Sequence, residues 1–207
     1  MNNFGPDEVR SPGYLQRRLD AGAARLARRV GACTYHYRVR DLARPFSTLI
    51  GTPFICFDTD ASFRMRRPRS WGQTSLYALG DTLHLRVGDL LQQAGRFYFV
   101  AEKESLRPLL CTACNRQVTI MGMRGDEGGY VQKCPASISL HGRGGDRHSG
   151  MPGSLRAGSY MMHLPLLPDF CLMPYMQLID ETGMRYLVDA VELSQNGTRA
   201  VLSVQQV

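Results

Sequence analysis

Residues 83–120 read LHLRVGDLLQQAGRFYFVAEKESLRPLLCTACNRQVTI, and this stretch decides the fold. Leu83, Leu85 and Val87 alternate with His84 and Arg86, the two-residue period of a half-buried strand. A Gly-Asp pair follows at 88–89, then Leu90 and Leu91, then a polar break over Gln92, Gln93, Ala94 and Gly95. Beyond the break, Phe97, Tyr98, Phe99 and Val100 form an aromatic and β-branched run of the kind strands favour. The stretch therefore predicts a β-hairpin leading to a bend at Pro108, then a strand over 117–121 after a turn at CTACN.

The same grammar returns near the C-terminus. Met176 to Ile179 runs into Asp180, Glu181, Thr182 and Gly183, then into Arg185, Tyr186, Leu187 and Val188. Two ordinary hairpins or a weak internal duplication both account for it. A third hairpin is expected where Asn196-Gly197 separates 191–193 from 200–204, a better explanation of that Asn than a glycosylation acceptor. The class that follows is mainly β: a barrel- or sandwich-like core of hairpins with an N-terminal helix and long loops.

The chain has 207 residues, 43% hydrophobic and 21% charged, enough to bury a sizeable core and unlike a disordered segment. No run approaches the roughly 20 apolar residues of a membrane helix, and the polar start MNNFGPDEVR lacks the apolar core of an export signal. A soluble protein made in the cytoplasm, with no membrane partner, is expected. The net charge of +7 comes almost wholly from arginine, since Lys103 and Lys133 are the only lysines. Such a balance suits an anionic partner, either nucleic acid or an acidic protein surface. The six cysteines are too sparse for a disulfide framework and read as reduced thiols.

Residues 13–30 predict a helix. Leu15, Leu19, Ala23, Leu26 and Val30 share one face, while Arg17, Arg18, Arg25, Arg28 and Arg29 cover much of the rest. A basic amphipathic helix can lie on nucleic acid or a membrane. The favoured reading is an apolar stripe docked on the domain or on a neighbouring subunit with the arginines solvated, and Arg17, Arg25 and Arg28 stand as interface candidates. The most basic window holds Arg64, Arg66, Arg67 and Arg69, with Trp71 beside it. Arginine and tryptophan are preferred anchors at protein interfaces, and the same residues can grip phosphates and stack on bases. Residues 122–154 are glycine-rich around a short apolar island at Ile138 and Leu140, and predict long loops or an arm that orders on assembly.

Little in the sequence asks for catalysis. Cys111-x-x-Cys114 has ligand spacing, and Cys134 with His141 or His148 would complete a zinc site on paper. There is no second close pair, so structural cysteines are the simpler reading and no metal or cofactor is expected. Asp58 and Asp60 form a DxD that turn chemistry explains without a cation. Neither Gly-x-Ser-x-Gly nor His-Glu-x-x-His occurs. The reading is of a non-enzyme.

The order of short motifs resembles a group of structural proteins of tailed bacteriophages and proteobacterial prophages. The landmarks are the basic N-terminal helix, Tyr37-Arg38 ahead of Pro45, and Phe63-Arg64 leading to Arg67-Pro68. They continue with Val87-Gly88-Asp89-Leu90-Leu91, Phe97-Tyr98-Phe99-Val100-Ala101 and Leu109-Leu110-Cys111-x-x-Cys114-Asn115-Arg116. Cys134-Pro135-Ala136-Ser137-Ile138, Met151-Pro152-Gly153 and Asp180-x-x-Gly183-x-Arg185-Tyr186 complete them. The family pattern carries Trp where this chain has Cys134. The resemblance implies a virion part: a homo-oligomeric ring in the neck or head–tail connector, touching the portal or adjacent neck and tail proteins, with transient non-specific contact to packaged DNA. A tail-tube, nozzle or baseplate component of the same virion is the alternative, and a basic nucleic-acid-binding module is another. The expected organisation is a basic helix over 1–31, a β-rich core with an extended arm over 32–121, a Gly-rich loop region over 122–154 and a C-terminal β-meander over 155–207.

Overall fold

A computed structural model describes residues 12–58, 60–63, 74–122, 130–140 and 159–205. Among the described residues the chain is mainly β with one helix, as the patterning predicts. It begins with α1 (Pro12–Val30) and continues through β1 (Ala32–Cys33), β2 (Tyr35–Tyr37), β3 (Leu49–Gly51) and β4 (Phe54–Asp58). β5 (Ser75–Gly80), β6 (Leu90–Gln93), β7 (Arg96–Glu102) and β8 (Leu109–Cys114) complete the first sheet, ordered β1-β4-β5-β8-β7-β6-β2-β3. β9 (Arg116–Met121), β10 (Val131–Leu140), β11 (Ser159–Leu164), β12 (Gln177–Asp180), β13 (Arg185–Ser194) and β14 (Gly197–Val204) form a closed six-stranded barrel.

The first sheet curls towards closure because β1, at one end, and β2, next to the other end, are one stretch of chain. β1 pairs with β4 and β2 with β6, so the chain changes partner at Thr34. Gln93 spans that bend: its Nε2 donates to Thr34 Oγ1 at 2.7 Å and to Ile55 O at 2.8 Å. A single amide from β6 thereby reaches acceptors at the β1–β4 end of the sheet, tying the two together across the bend.

The unbroken apolar run in β7 has a physical cause. Tyr98 and Val100 point into the first sheet's core with Ile55, Leu76 and Leu91, whereas Phe99 and Ala101 join the barrel's core with Ile120, Ile138 and Leu178. A strand covered on both faces loses the alternation of a half-buried one. β6 divides its leucines the same way, Leu91 to one core and Leu90 to the other. Leu90, Leu91, Phe99 and Val100, essentially out of water, each contribute roughly 1.5–3 kcal/mol. The two sheets are thus welded along β6 and β7.

The hairpin β6–β7 turns on two residues, Ala94 and Gly95, both at positive φ (48° and 76°). This is the primed geometry whose twist matches the strands. The polar break is therefore narrower than the sequence predicts, since Gln92 and Gln93 belong to the strand. The alternating segment 83–87 is not a strand at all: only Leu85 is buried, and Lys103 Nζ donates to the carbonyls of Leu83 and Leu85. The hairpin expected at 196–197 is present, with Ser194 opposite Gly197. So is the β12–β13 hairpin. Its turn is built around the Asp180 carboxylate rather than two positive-φ residues, so the two similar sequence stretches use different devices.

Two further expectations are corrected. Cys111 and Cys114 lie inside β8, and the turn expected at CTACN shrinks to Asn115, where the chain leaves one sheet for the other. Asn115 can do this alone because its side chain imitates a strand backbone, accepting from Ile138 N (2.8 Å) and donating to Ile138 O (2.7 Å). The boundary between the two halves therefore falls at Asn115 rather than near 121. Within the region expected to be loops, 131–140 is the barrel strand β10, buried on both faces over 134–138. Pro135 is tolerated there beside a bulge at Gln132 and Lys133. The remaining glycine-rich residues, 123–129 and 141–154, lie outside the described residues.

Candidate interaction surface

Inside the first sheet a polar clamp fixes the framework. Asp89 accepts from His36 Nε2 (2.7 Å), Arg38 Nε and Nη2 (both 2.8 Å) and Arg86 N (2.8 Å). Burial pushes the Asp89 carboxyl up, but the bonds from Arg38 and His36 outweigh it and hold the carboxyl below its ordinary range. Gly88 precedes it at φ 87°, and a Cβ there would lie 2.4 Å from Leu166 O, so only glycine lets the loop before β12 approach. The Gly-Asp pair is thus the point where the first sheet, its own buried charge and the barrel meet. Both oxygens of the Asp89 carboxylate are engaged by these donors, which makes the clamp a brace of the first sheet.

The barrel has a matching plug. Asp180 Oδ1 accepts from Thr182 N, Thr182 Oγ1 and Met184 N, while Oδ2 faces Tyr186 Oη at 3.3 Å and Arg116 Nε at 3.4 Å. Burial raises and these bonds lower its carboxyl, with the lowering dominant. Burial and the neighbouring Asp180 push the Tyr186 phenol up to about 12.

The cysteines do not converge on a site. At a strand spacing of three, Cys111 and Cys114 point to opposite faces of β8. Cys111 belongs to the first sheet's core, while Cys134 lies in the barrel's core with Cys114 packed against it. Burial pushes the Cys111 and Cys134 thiols up to about 12, and raises Cys114 with help from its two neighbours. Among the described residues no group of three His, Cys, Asp or Glu side chains could hold a metal ion. Asp60 does the turn work its sequence suggests, its Oδ1 accepting from Ser62 N and Oγ. His141 and His148 lie outside the described residues.

α1 docks differently from its sequence pattern. Its contact is with β4 and β5, through the face bearing Ala23, Ala24 and the wholly buried Ala27. Gly31 ends the helix where a Cβ would sit 2.8 Å from the Ile55 backbone. Small residues let the helix lie close to the sheet, and so Leu15 and Leu19, on the face expected to be buried, remain 44% and 50% exposed. Arg28 is drawn into the fold, paired with Asp81 at 3.0 Å. Arg17 and Arg25 are exposed and have no acidic partner among the described residues. Gln16 Oε1 accepts from Leu106 N at 2.6 Å, so the 103–108 loop is held against the helix. Between them runs a groove of about 430 Å³ bordered by Leu19, Leu26, Phe63 and Leu106. Arg64, Arg66, Arg67, Arg69 and Trp71 lie outside the described residues.

The sequence reading missed one exposed surface. The 165–176 loop is pinned inward by Leu167, Leu172 and Met176, and presents Leu166, Met173 and Tyr175 to solvent. Tyr175, 68% exposed, sits at φ 69°, a conformation an aromatic residue rarely adopts. Pro174 beside it signals a turn, but nothing in the sequence marks a non-glycine residue for positive φ.

The fold and its surfaces define a mainly β protein of two fused barrel-like halves with an N-terminal helix. No helix among the described residues is long and apolar enough to cross a membrane. No protein-family model, curated protein or solved structure matches the chain.

Proposed function

We propose that this chain is a non-enzymatic virion structural protein of a tailed bacteriophage, forming a ring in the neck or head–tail connector. The observation that supports this most is the contrast between interior and surface. The buried Asp89 cluster is spent on bracing the fold, while large apolar side chains stand exposed on α1 and on the 165–176 loop. Rigid halves with unpaired apolar outer faces suit a subunit whose neighbours complete it. Head-to-tail contacts between identical subunits close into rings when the rotation permits. Electron microscopy of the purified chain and of particles carrying a tagged copy tests the reading. Rings in the first and label at the portal–tail junction in the second are expected; label confined to the tail tube or baseplate would move the protein there.

A basic nucleic-acid-binding module is the competing reading, favoured by Arg17 and Arg25 lacking acidic partners among the described residues. Non-specific duplex binding falls at about 10⁻⁴–10⁻⁶ M at physiological salt. Submicromolar affinity that is lost when Arg64, Arg66, Arg67 and Arg69 are replaced by Ala would put this reading first.

A further inference from the structure

We propose that the subunits join head to tail, with the 165–176 loop of one copy seated in the α1 groove of the next and Tyr175 as its anchor. The inference rests on the ring reading above and names the contact that would build it.

Three observations point to these two surfaces. The first is that both are apolar and open to solvent. α1 leaves Leu15 and Leu19 exposed beside Leu106, and the loop leaves Leu166, Met173 and Tyr175 exposed. The second is that each carries apolar residues held outward against backbone preference. Leu106 at φ 62° and Tyr175 at φ 69° are positions where a side chain is strained, and both are fixed by a short hydrogen bond from their own N–H. Leu106 N donates to Gln16 Oε1 at 2.6 Å and Tyr175 N to Val188 O at 2.7 Å. Strain of this kind persists where the surrounding structure over-determines it, and it clusters at sites of recognition. Pro165, Pro168 and Pro174 further restrict the loop, so little ordering entropy remains to be lost on contact.

The third is charge. Arg18 and Asp20 both border the groove, and the helix that forms its wall carries Arg17, Arg18, Arg25, Arg28 and Arg29 against the single carboxylate of Asp20. The only charged residue of the loop is Asp169, which is exposed, and Asp189 is exposed beside Val188, the residue that accepts from Tyr175. A net-basic helix beside an apolar groove and two exposed aspartates beside an apolar knob complement one another. Because the groove lies on the first sheet and the knob on the barrel, one copy's groove and its own knob are separate patches. A knob that enters the next copy's groove without reciprocation makes a heterologous contact, the type that builds rings.

The test uses the full chain. A photo-crosslinking amino acid replacing Tyr175 is expected to join two copies, with the adduct mapped by mass spectrometry to residues 15–29 or Leu106. Tyr175→Ser and Leu19→Asp, each checked for an unchanged thermal melt, are expected to weaken self-association by about thirtyfold or more in analytical ultracentrifugation, as loss of an interface anchor does. An oligomer indifferent to both variants, with crosslinks elsewhere, overturns this contact and leaves the ring reading standing. A chain that neither associates nor crosslinks to itself overturns both. Crosslinking from Tyr175 only to a different virion protein also overturns the contact, and assigns the loop to that partner.

Discussion

His36 Nε2 lies 2.7 Å from Asp89 Oδ2, and both side chains are almost entirely out of water. They stand 53 positions apart in the sequence, and the pair ties the bent strand at the sheet's end to the loop that enters β6. Arg38, two residues from His36 and just past the end of β2, completes the clamp from the solvent side.

Removing the carboxylate should be costly. Asp89→Ala leaves Arg38 and the buried His36 without their acceptor, and breaking a buried pair by deleting one partner costs about 3–5 kcal/mol. The midpoint of urea unfolding should fall accordingly, with an unchanged slope. A loss under about 1 kcal/mol would show that the clamp does not brace the fold.

Acid should unfold the protein for the same reason. Asp89 and Asp180 both titrate below their ordinary value when folded. Protonation is then favoured in the unfolded chain, so stability rises with pH through this range. Their contribution is fully present above the unfolded value of about 4 and is lost as pH falls through the folded ones. The melting temperature should decline below about pH 4, and Asp89→Asn should flatten that decline.

Backbone conformation sets two opposite expectations. Gly88→Ala should be strongly destabilising, because φ 87° and a 2.4 Å approach to Leu166 O both oppose a methyl group. Ala94→Gly should stabilise by about 1 kcal/mol, since an L-residue at φ 48° is strained where glycine is not. Differential scanning calorimetry of the two variants checks both signs.

Ser137 Oγ and His163 Nδ1 are buried without hydrogen-bond partners among the described residues, directly opposite each other in β10 and β11. An unsatisfied buried hydroxyl costs about 1–3 kcal/mol. Ser137→Ala should therefore be neutral or stabilising, and a clear loss in chemical denaturation would reveal a role for the hydroxyl.

Thiol labelling should divide the six cysteines. Cys33 and Cys171 are exposed and should react quickly with an aromatic disulfide reagent. Cys56, Cys111 and Cys134 are buried, and burial raises their thiols, so they should react only on unfolding. Two rapid equivalents are expected, with Cys114 slower.

What the sequence by itself determined is local. The turn at Ala94 and Gly95, the hairpin before Gly197 and the helix ending at Gly31 are set by short-range chemistry, since a period of apolar residues and a permissive glycine suffice to specify them. Even the two-sided burial of β7 was written in its unbroken run from Phe97 to Ala101, although not which core each residue would meet. Tertiary structure alone decided the rest. Residues 83–87 alternate like a strand, yet they find no ladder partner, because β6 and β7 already pair with each other and with β2 and β8. β10 lies among glycines and carries a proline, and becomes a core strand because β9 and β11 flank it and the first sheet covers it. The helix shows a leucine stripe but docks by its alanines, because only small residues allow the close approach that Gly31 and Ile55 require. The Asp89 clamp and the groove facing solvent likewise join residues tens of positions apart. Periodicity reports which side chains prefer burial, but the partner that buries them is chosen by long-range pairing, and that is a property of the whole chain.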